Sequence, residues 1–262
     1  MAFTEEALDA EAEELLERSI RPKRRARPRL AHPLHDEEAI EIECPTGAVT
    51  AWRLGVGPAT LLVHGWEDDN ALWGPLIDRL QANGRPVVAL DLPGHGYSAA
   101  DFTGVGAAGG AVKAVAEALG PIDSLVCHSF GCVASLQAMA DGLNVERAVL
   151  IASPLGRRDP TKAVGRFIER GVDPDVATRA GVLMTERQTE PPFDIEAAAK
   201  KMTAKGLVIH SLDDDDCEPA NASLIVGSWP AAELMWVDGL GHRRVAQDDD
   251  VLQRVADFID GF

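Results

Sequence analysis

The hydrophobic positions change period along the chain. Leu8, Ala12, Leu15, Leu16 and Ile20 recur at helical spacing among seven acidic residues in 4–20, which predicts an amphipathic helix. From residue 38 the period drops to two. Ala39-Ile40-Glu41-Ile42-Glu43-Cys44 alternates, Pro45-Thr46-Gly47 turns, and Val49-Thr50-Ala51-Trp52-Arg53-Leu54 alternates back, the pattern of an antiparallel hairpin. After Gly55-Val56-Gly57-Pro58 the apolar runs become continuous, at 60–63, 86–90, 124–126, 147–151 and 206–209, with a further run at 233–237. Continuous runs of this length fit parallel strands buried on both faces. Helical patterns at 72–83, 104–119, 130–141, 219–228 and 247–261 separate them. Such alternation predicts an α/β fold, a mostly parallel twisted sheet of about eight strands with helices on both faces.

Residues 156–205 break this rhythm. Pro160, Pro174, Pro191 and Pro192 cut the interval into short helical pieces with enough Phe, Leu, Ile and Met to fold as a small helical cap. The expected organisation is an N-terminal amphipathic helix and basic linker (1–37), an α/β core (38–155 and 206–262) and the cap (156–205). The linker carries the run Arg21-Pro22-Lys23-Arg24-Arg25-Ala26-Arg27-Pro28-Arg29, and its prolines make 21–33 extended rather than helical. The acidic helix and basic run are expected to pair with each other or with a partner chain, a homodimer through the N-terminal segment or the cap being one form of this.

Composition narrows the function. A formal net charge of −17 argues against nucleic acid and against anionic membranes as partners. Cys44, Cys127, Cys132 and Cys217 form no C-x-x-C pair and no metal spacing, so reduced thiols, no metal and no cofactor are expected. Glu5, Glu6 and Asp9 stand where a signal peptide needs positive charge, and no stretch approaches the roughly 20 apolar residues of a membrane span. A soluble, cytoplasmic protein is the expectation.

The chemistry centres on Leu125-Val126-Cys127-His128-Ser129-Phe130-Gly131-Cys132, where an apolar run ends, a Ser arrives and a helical pattern begins. This is the layout of a nucleophile elbow, G-x-S-x-G, with Cys127 in place of the first Gly. Ser129 as nucleophile needs a base within hydrogen-bond reach. His242, in Gly239-Leu240-Gly241-His242 directly after the last strand pattern, is the best placed of the seven His. His128, His64, His95 and His210 are read as structural. A carboxylate must hold the imidazole in the correct tautomer, and His210-Ser211-Leu212-Asp213-Asp214-Asp215-Asp216 follows a strand pattern. Asp214 is the first choice and Asp213 the second. Backbone N–H groups of Phe130 and of Trp66, in Val63-His64-Gly65-Trp66, are the candidate oxyanion donors. All these residues lie just after strands, where open α/β sheets bind ligands.

Together with Leu90-Asp91-Leu92-Pro93-Gly94-His95-Gly96-Tyr97-Ser98, these motifs resemble the α/β-hydrolase superfamily, in particular its small-cap esterase, haloperoxidase-like and C–C hydrolase branch. The resemblance covers 38–262. It implies Ser129 as nucleophile, Asp214 as acid, His242 as base, and Trp66 and Phe130 as oxyanion donors. Ser211 stands where that family often has Gly or Asp, and Cys217-Glu218 replaces its apolar-Pro pair.

A Ser nucleophile points to acyl transfer to water, with a small carboxylic ester or related acyl compound as substrate. An acyltransferase, a C–C bond hydrolase and a catalytically silent binding or scaffold protein are the alternatives. Phe167, Leu183, Met184 and Phe193 are candidates to line an acyl pocket or to join cap to core. The interval 156–205 is slightly basic against a strongly acidic remainder. That fits a substrate with one anionic group, met by Arg157 or Arg158, or simply a solvated helix face.

Overall fold

The computed structural model describes residues 3–24, 34, 38–100, 104–155, 160–186 and 193–261. The N-terminal acidic pattern forms α1 (Glu5–Ile20), opened by Thr4, whose hydroxyl accepts from the Ala7 N–H at 3.3 Å. Glu5 and Glu6 in its first turn and Arg18 in its last complement the helix dipole. The alternating stretch folds as β1 (Ile40–Ile42) and β2 (Val49–Leu54), paired antiparallel with Ile40 opposite Ala51.

The continuous apolar runs become β3 (Ala59–Val63), β4 (Val87–Leu90), β5 (Ile122–His128), β6 (Arg147–Ile151) and β7 (Lys205–Ser211). The last run becomes β8 (Ala232–Val237). The eight strands are ordered β1-β2-β4-β3-β5-β6-β7-β8, and every pairing from β4 to β8 is parallel. Between the strands run α2 (Gly74–Ala82), α3 (Val105–Leu119), α4 (Phe130–Ala140) and α8 (Ala220–Ser228). The short α9 (Gly241–Arg244) and the closing α10 (Asp249–Asp260) follow β8.

The central residues of β3 to β7 are apolar because each face of the sheet is covered. Leu61, Val63, Leu125, Cys127, Leu150 and Val208 enter the cluster under α3, α4 and α8, with Val112, Leu136 and Ile225. Their neighbours Leu62, Val126, Val149, Ile151, Leu207 and Ile209 enter the opposite cluster, with Leu76 and Leu80 of α2 and Val255 and Ile259 of α10. A period of two thus divides each strand between two cores. Parallel register then brings the ends of β3, β5, β6 and β7 to one rim, with Val63 beside Cys127, His128 beside Ile151 and Ile151 beside Ile209.

The interval after β6 supplies α5 (Pro160–Glu169), α6 (Pro174–Glu186) and α7 (Ile195–Ala199). The first two stand apart from the sheet. The third does not: Ile195, Ala198 and Ala199 belong to the core cluster under α4 and α8, so the end of the expected cap interval is core. The helix α1 docks on α6 of its own chain, burying Ala12 and Leu16 against Val176, Ala180 and Leu183, and Asp9 pairs with Arg179. The apolar stripe of α1 is thus occupied within the chain. Residues 25–33 of the linker, including Arg25, Arg27 and Arg29 of its basic run, and Arg157 and Arg158 lie outside the described residues. Among the described residues no helix is long and apolar enough to cross a membrane.

Candidate active site

Ser129 sits between β5 and α4 with φ 51° and ψ −122°, a left-handed backbone that costs a non-glycine residue energy and marks a functional turn. Its N–H is anchored to the Ile151 carbonyl at 2.9 Å. The turn is tight enough that Gly131 is required: a Cβ there would come within 2.5 Å of the Val63 oxygen and 2.4 Å of the His64 oxygen. Gly65 is placed likewise, since its Cβ would lie 3.0 Å from the Ser129 Cβ and 3.0 Å from the His128 Nδ1. The absence of side chains at 65 and 131 lets the loop after β3 close onto the elbow. That loop brings Trp66 beside Phe130, ring centroids 5.5 Å apart and nearly perpendicular.

His242 comes from α9, after β8. Its Nε2 lies 2.8 Å from the Ser129 Oγ and its Nδ1 2.8 Å from the Asp214 Oδ2. Among the four consecutive aspartates it is therefore Asp214 that meets the imidazole. Its side chain is fully buried, and Oδ1 accepts the N–H groups of Asp216 at 2.9 Å and Cys217 at 2.8 Å. Burial pushes its carboxyl up. The hydrogen bonds from His210 and His242, joined by the Cys217 N–H, outweigh it and hold the pKa well below the carboxylate range. Asp213 does other work: its Oδ1 accepts from the Ser211 hydroxyl and from the Gly241 N–H at 3.0 Å. The Ser211 hydroxyl also accepts from the Leu240 N–H at 3.3 Å, so Ser211 and Asp213 together moor the histidine loop to the acid loop.

The remaining histidines are donors and acceptors of fixed roles. His64 donates through Nδ1 to the Gly65 carbonyl at 2.7 Å and accepts the Leu92 N–H at 3.0 Å. His95 donates to the Pro93 carbonyl at 3.0 Å, and burial lowers its pKa to about 3. His128 donates through Nε2 to the His242 carbonyl at 2.8 Å. His210 lies on β7 with its Nε2 3.0 Å from the Cys217 carbonyl and 3.1 Å from the Asp214 Oδ2. The contacts of His128 and His210 with the site are absent from the sequence reading. Only the four-residue spacing of His210 and Asp214 at the end of a strand offered a signal. Among the described residues no group of three or more His, Cys, Asp or Glu side chains is placed to hold a metal ion.

Leu183 and Met184 pack in the cluster with Ala12, Leu16, Val176 and Ala180, because the apolar stripe of α6 faces α1, and Phe167 of α5 joins the same cluster. Phe193 packs against the main core. The helix α5 approaches the acid loop, where Lys162 pairs with Glu218 and Arg166 donates to the Asp216 carbonyl at 3.2 Å.

A mostly parallel sheet with an antiparallel start, a strained Ser at its central strand and an imidazole and carboxylate on the same rim define the α/β-hydrolase class of protein. The model of the alpha/beta hydrolase family matches residues 60–258, and the chain belongs to that family. Its sequence is 35% identical over 127 residues to a pimeloyl-[acyl-carrier protein] methyl ester esterase of Xanthomonas campestris, covering 48% of this chain and 45% of that one. A protein of the same name from Xylella fastidiosa is 34% identical over 99 residues, 38% of each chain. The matched stretches thus span less than half the length of these relatives. An esterase of Pyrococcus furiosus superposes with a TM-score of 0.73 at 18% identity over 91% of this chain and 98% of that one. A meta-cleavage product hydrolase of Pseudomonas fluorescens does so with 0.63 at 16% identity over 84% and 97%. At such identities the likeness is one of fold.

Proposed function

We propose that the protein is a serine hydrolase that cleaves a small carboxylic ester or related acyl substrate through an acyl-enzyme. The observation that carries this reading is the continuous relay from Ser129 Oγ through His242 to Asp214, each contact 2.8 Å long. The imidazole Nε2 takes the Ser129 proton as Oγ bonds to the acyl carbon. The carbonyl π pair moves onto oxygen, where the N–H groups of Trp66 and Phe130 receive it. Collapse returns that pair, the C–O bond to the alcohol breaks, and Nε2 hands its proton to the leaving oxygen. Water repeats the sequence on the acyl-enzyme and restores Ser129. Asp214 stays ionised throughout, holds Nδ1 protonated and offsets the imidazolium charge.

The approach of the Gly65–Trp66 peptide to Ser129 supports the oxyanion role, as does the place of Phe130 as the first residue of α4, whose N–H has no acceptor within the helix. The esterase names of the curated relatives support ester hydrolysis over carbon–carbon cleavage. Labelling with a fluorophosphonate followed by peptide mass spectrometry tests the assignment. One label on Ser129 is the expected result, and a chain that remains unlabelled while folded contradicts it.

A further inference from the structure

Asp214 is held by two imidazoles, and the proposed mechanism uses only one of them. We propose that His210 is a positioning residue that donates its Nε2 proton to Asp214 Oδ2, fixing the carboxylate's orientation and moderating its pull on His242. The inference rests on the serine-hydrolase reading of the same site.

The geometry fixes how His210 carries its proton. Its side chain has no exposed area, its Nδ1 finds no hydrogen-bond partner among the described residues, and both acceptors lie on its Nε2. A proton on Nδ1 would be a buried donor without an acceptor, so the geometry places the ring hydrogen on Nε2. That hydrogen is shared between the Cys217 carbonyl at 3.0 Å and Asp214 Oδ2 at 3.1 Å. The carboxylate is then fully engaged: two backbone N–H groups on Oδ1, two imidazole N–H groups on Oδ2. A group so engaged cannot rotate, and its charge is divided among four donors rather than directed at His242 alone.

The other charged and titratable groups around the pair leave this role to His210. From the acid loop come Asp213, which faces Gly241, Asp216 and the Cys217 thiol, whose pKa burial and the neighbouring Asp214 push up to about 12. From α5 comes Arg166, bonded to the Asp216 carbonyl. On the His242 side lie Arg243, Asp68 and His128, and burial keeps His128 neutral. Among the described residues, His210 and His242 are the side chains that bond the Asp214 carboxylate.

The test is the pH profile of kcat/KM for p-nitrophenyl butyrate in wild type, His210→Phe and His210→Gln. His210→Phe is expected to lower kcat about 10-fold or more, the size of a lost hydrogen bond to a charged group. It leaves KM nearly unchanged. Its acidic limb moves to higher pH by roughly half to one unit, because an undivided Asp214 charge raises the proton affinity of His242. His210→Gln places an N–H near the lost Nε2 and restores both. An acidic limb in the Phe variant that coincides with wild type, or a Gln variant that behaves as Phe does, overturns the proposal. If the Phe variant does not fold, imidazole 15N shifts of labelled wild type decide. A hydrogen on Nε2 of His210, with Nδ1 bare, supports it, and a hydrogen on Nδ1 overturns it. Wild type without Ser129-dependent turnover removes the hydrolase reading itself. Wild-type turnover with an unchanged Phe variant removes the role of His210 alone.

Discussion

His128 Nε2 donates to the backbone carbonyl of His242 at 2.8 Å, so the residue before the candidate nucleophile grips the main chain of the candidate base. The two rings lie 5.0 Å apart. Burial first, and the neighbouring His242 second, lower the His128 pKa to about 4.

That shift sets an acid limit on stability. The unfolded chain takes up the proton near pH 6.5 and the folded chain only near 4, so the contribution of neutral His128 is complete above pH 6.5 and is lost as pH falls toward 4. Its size is on the order of 3 kcal/mol. Thermal melts should show Tm falling across this window in wild type and falling less in His128→Gln, which keeps a donor but does not titrate. Parallel curves for the two proteins would remove His128 as the cause.

Asp213 and Asp214 are neighbours with different predicted losses. Asp214→Asn presents an amide to His242 Nδ1 and favours the wrong tautomer, with kcat expected to fall about 10⁴-fold. Asp213→Asn weakens the mooring to Ser211 and Gly241, and the loss should stay within about 10-fold. Steady-state kinetics on the two variants distinguish these roles, and equal losses would contradict them.

Gly131→Ala should damage the elbow more than its single methyl implies. The new Cβ has backbone oxygens of Val63 and His64 at 2.5 and 2.4 Å, and backbone on β3 cannot swing away as a side chain would. A loss of about 3 kcal/mol or more in chemical denaturation is expected, with turnover lost together with it. A variant as stable and active as wild type would mean that α4 and β3 approach less closely than described.

The α1–α6 contact predicts a local effect. Leu16→Ala removes a buried side chain from the cluster with Val176, Ala180 and Leu183, at a cost of about 2 kcal/mol. Amide exchange in α6 should quicken by about 30-fold while the core strands keep their protection. Exchange that quickens evenly through the molecule would show that the two helices unfold with the core.

The sheet was legible in the sequence because both its faces are covered: runs such as 148–151 can be apolar throughout only where each side chain finds a core. The elbow was legible because steric closeness restricts the residues that fit, as at Gly65 and Gly131. Cys127 fits at the position of the missing Gly because its small side chain turns into the core, its thiol 3.2 Å from the Val149 carbonyl. Four adjacent aspartates look alike in sequence, and what separates Asp214 from Asp213 is the direction in which a turn after β7 aims each carboxylate. What covers Leu183 and Met184 was illegible for a similar reason. An apolar stripe on α6 records that something covers it, not whether the cover is a substrate or the stripe of α1. The support given by His128 depends on a contact between distant elements, which no local pattern encodes, whereas His210 meets Asp214 only four residues further on, through the turn after β7.

Turnover of p-nitrophenyl butyrate by purified wild type and by Ser129→Ala tests the relay from Ser129 through His242 to Asp214 most directly. The geometry predicts measurable hydrolysis by wild type and a fall of at least about 10⁴-fold in kcat for the variant, whose fold the small side chain at the elbow leaves intact. Equal rates in the two proteins would contradict it.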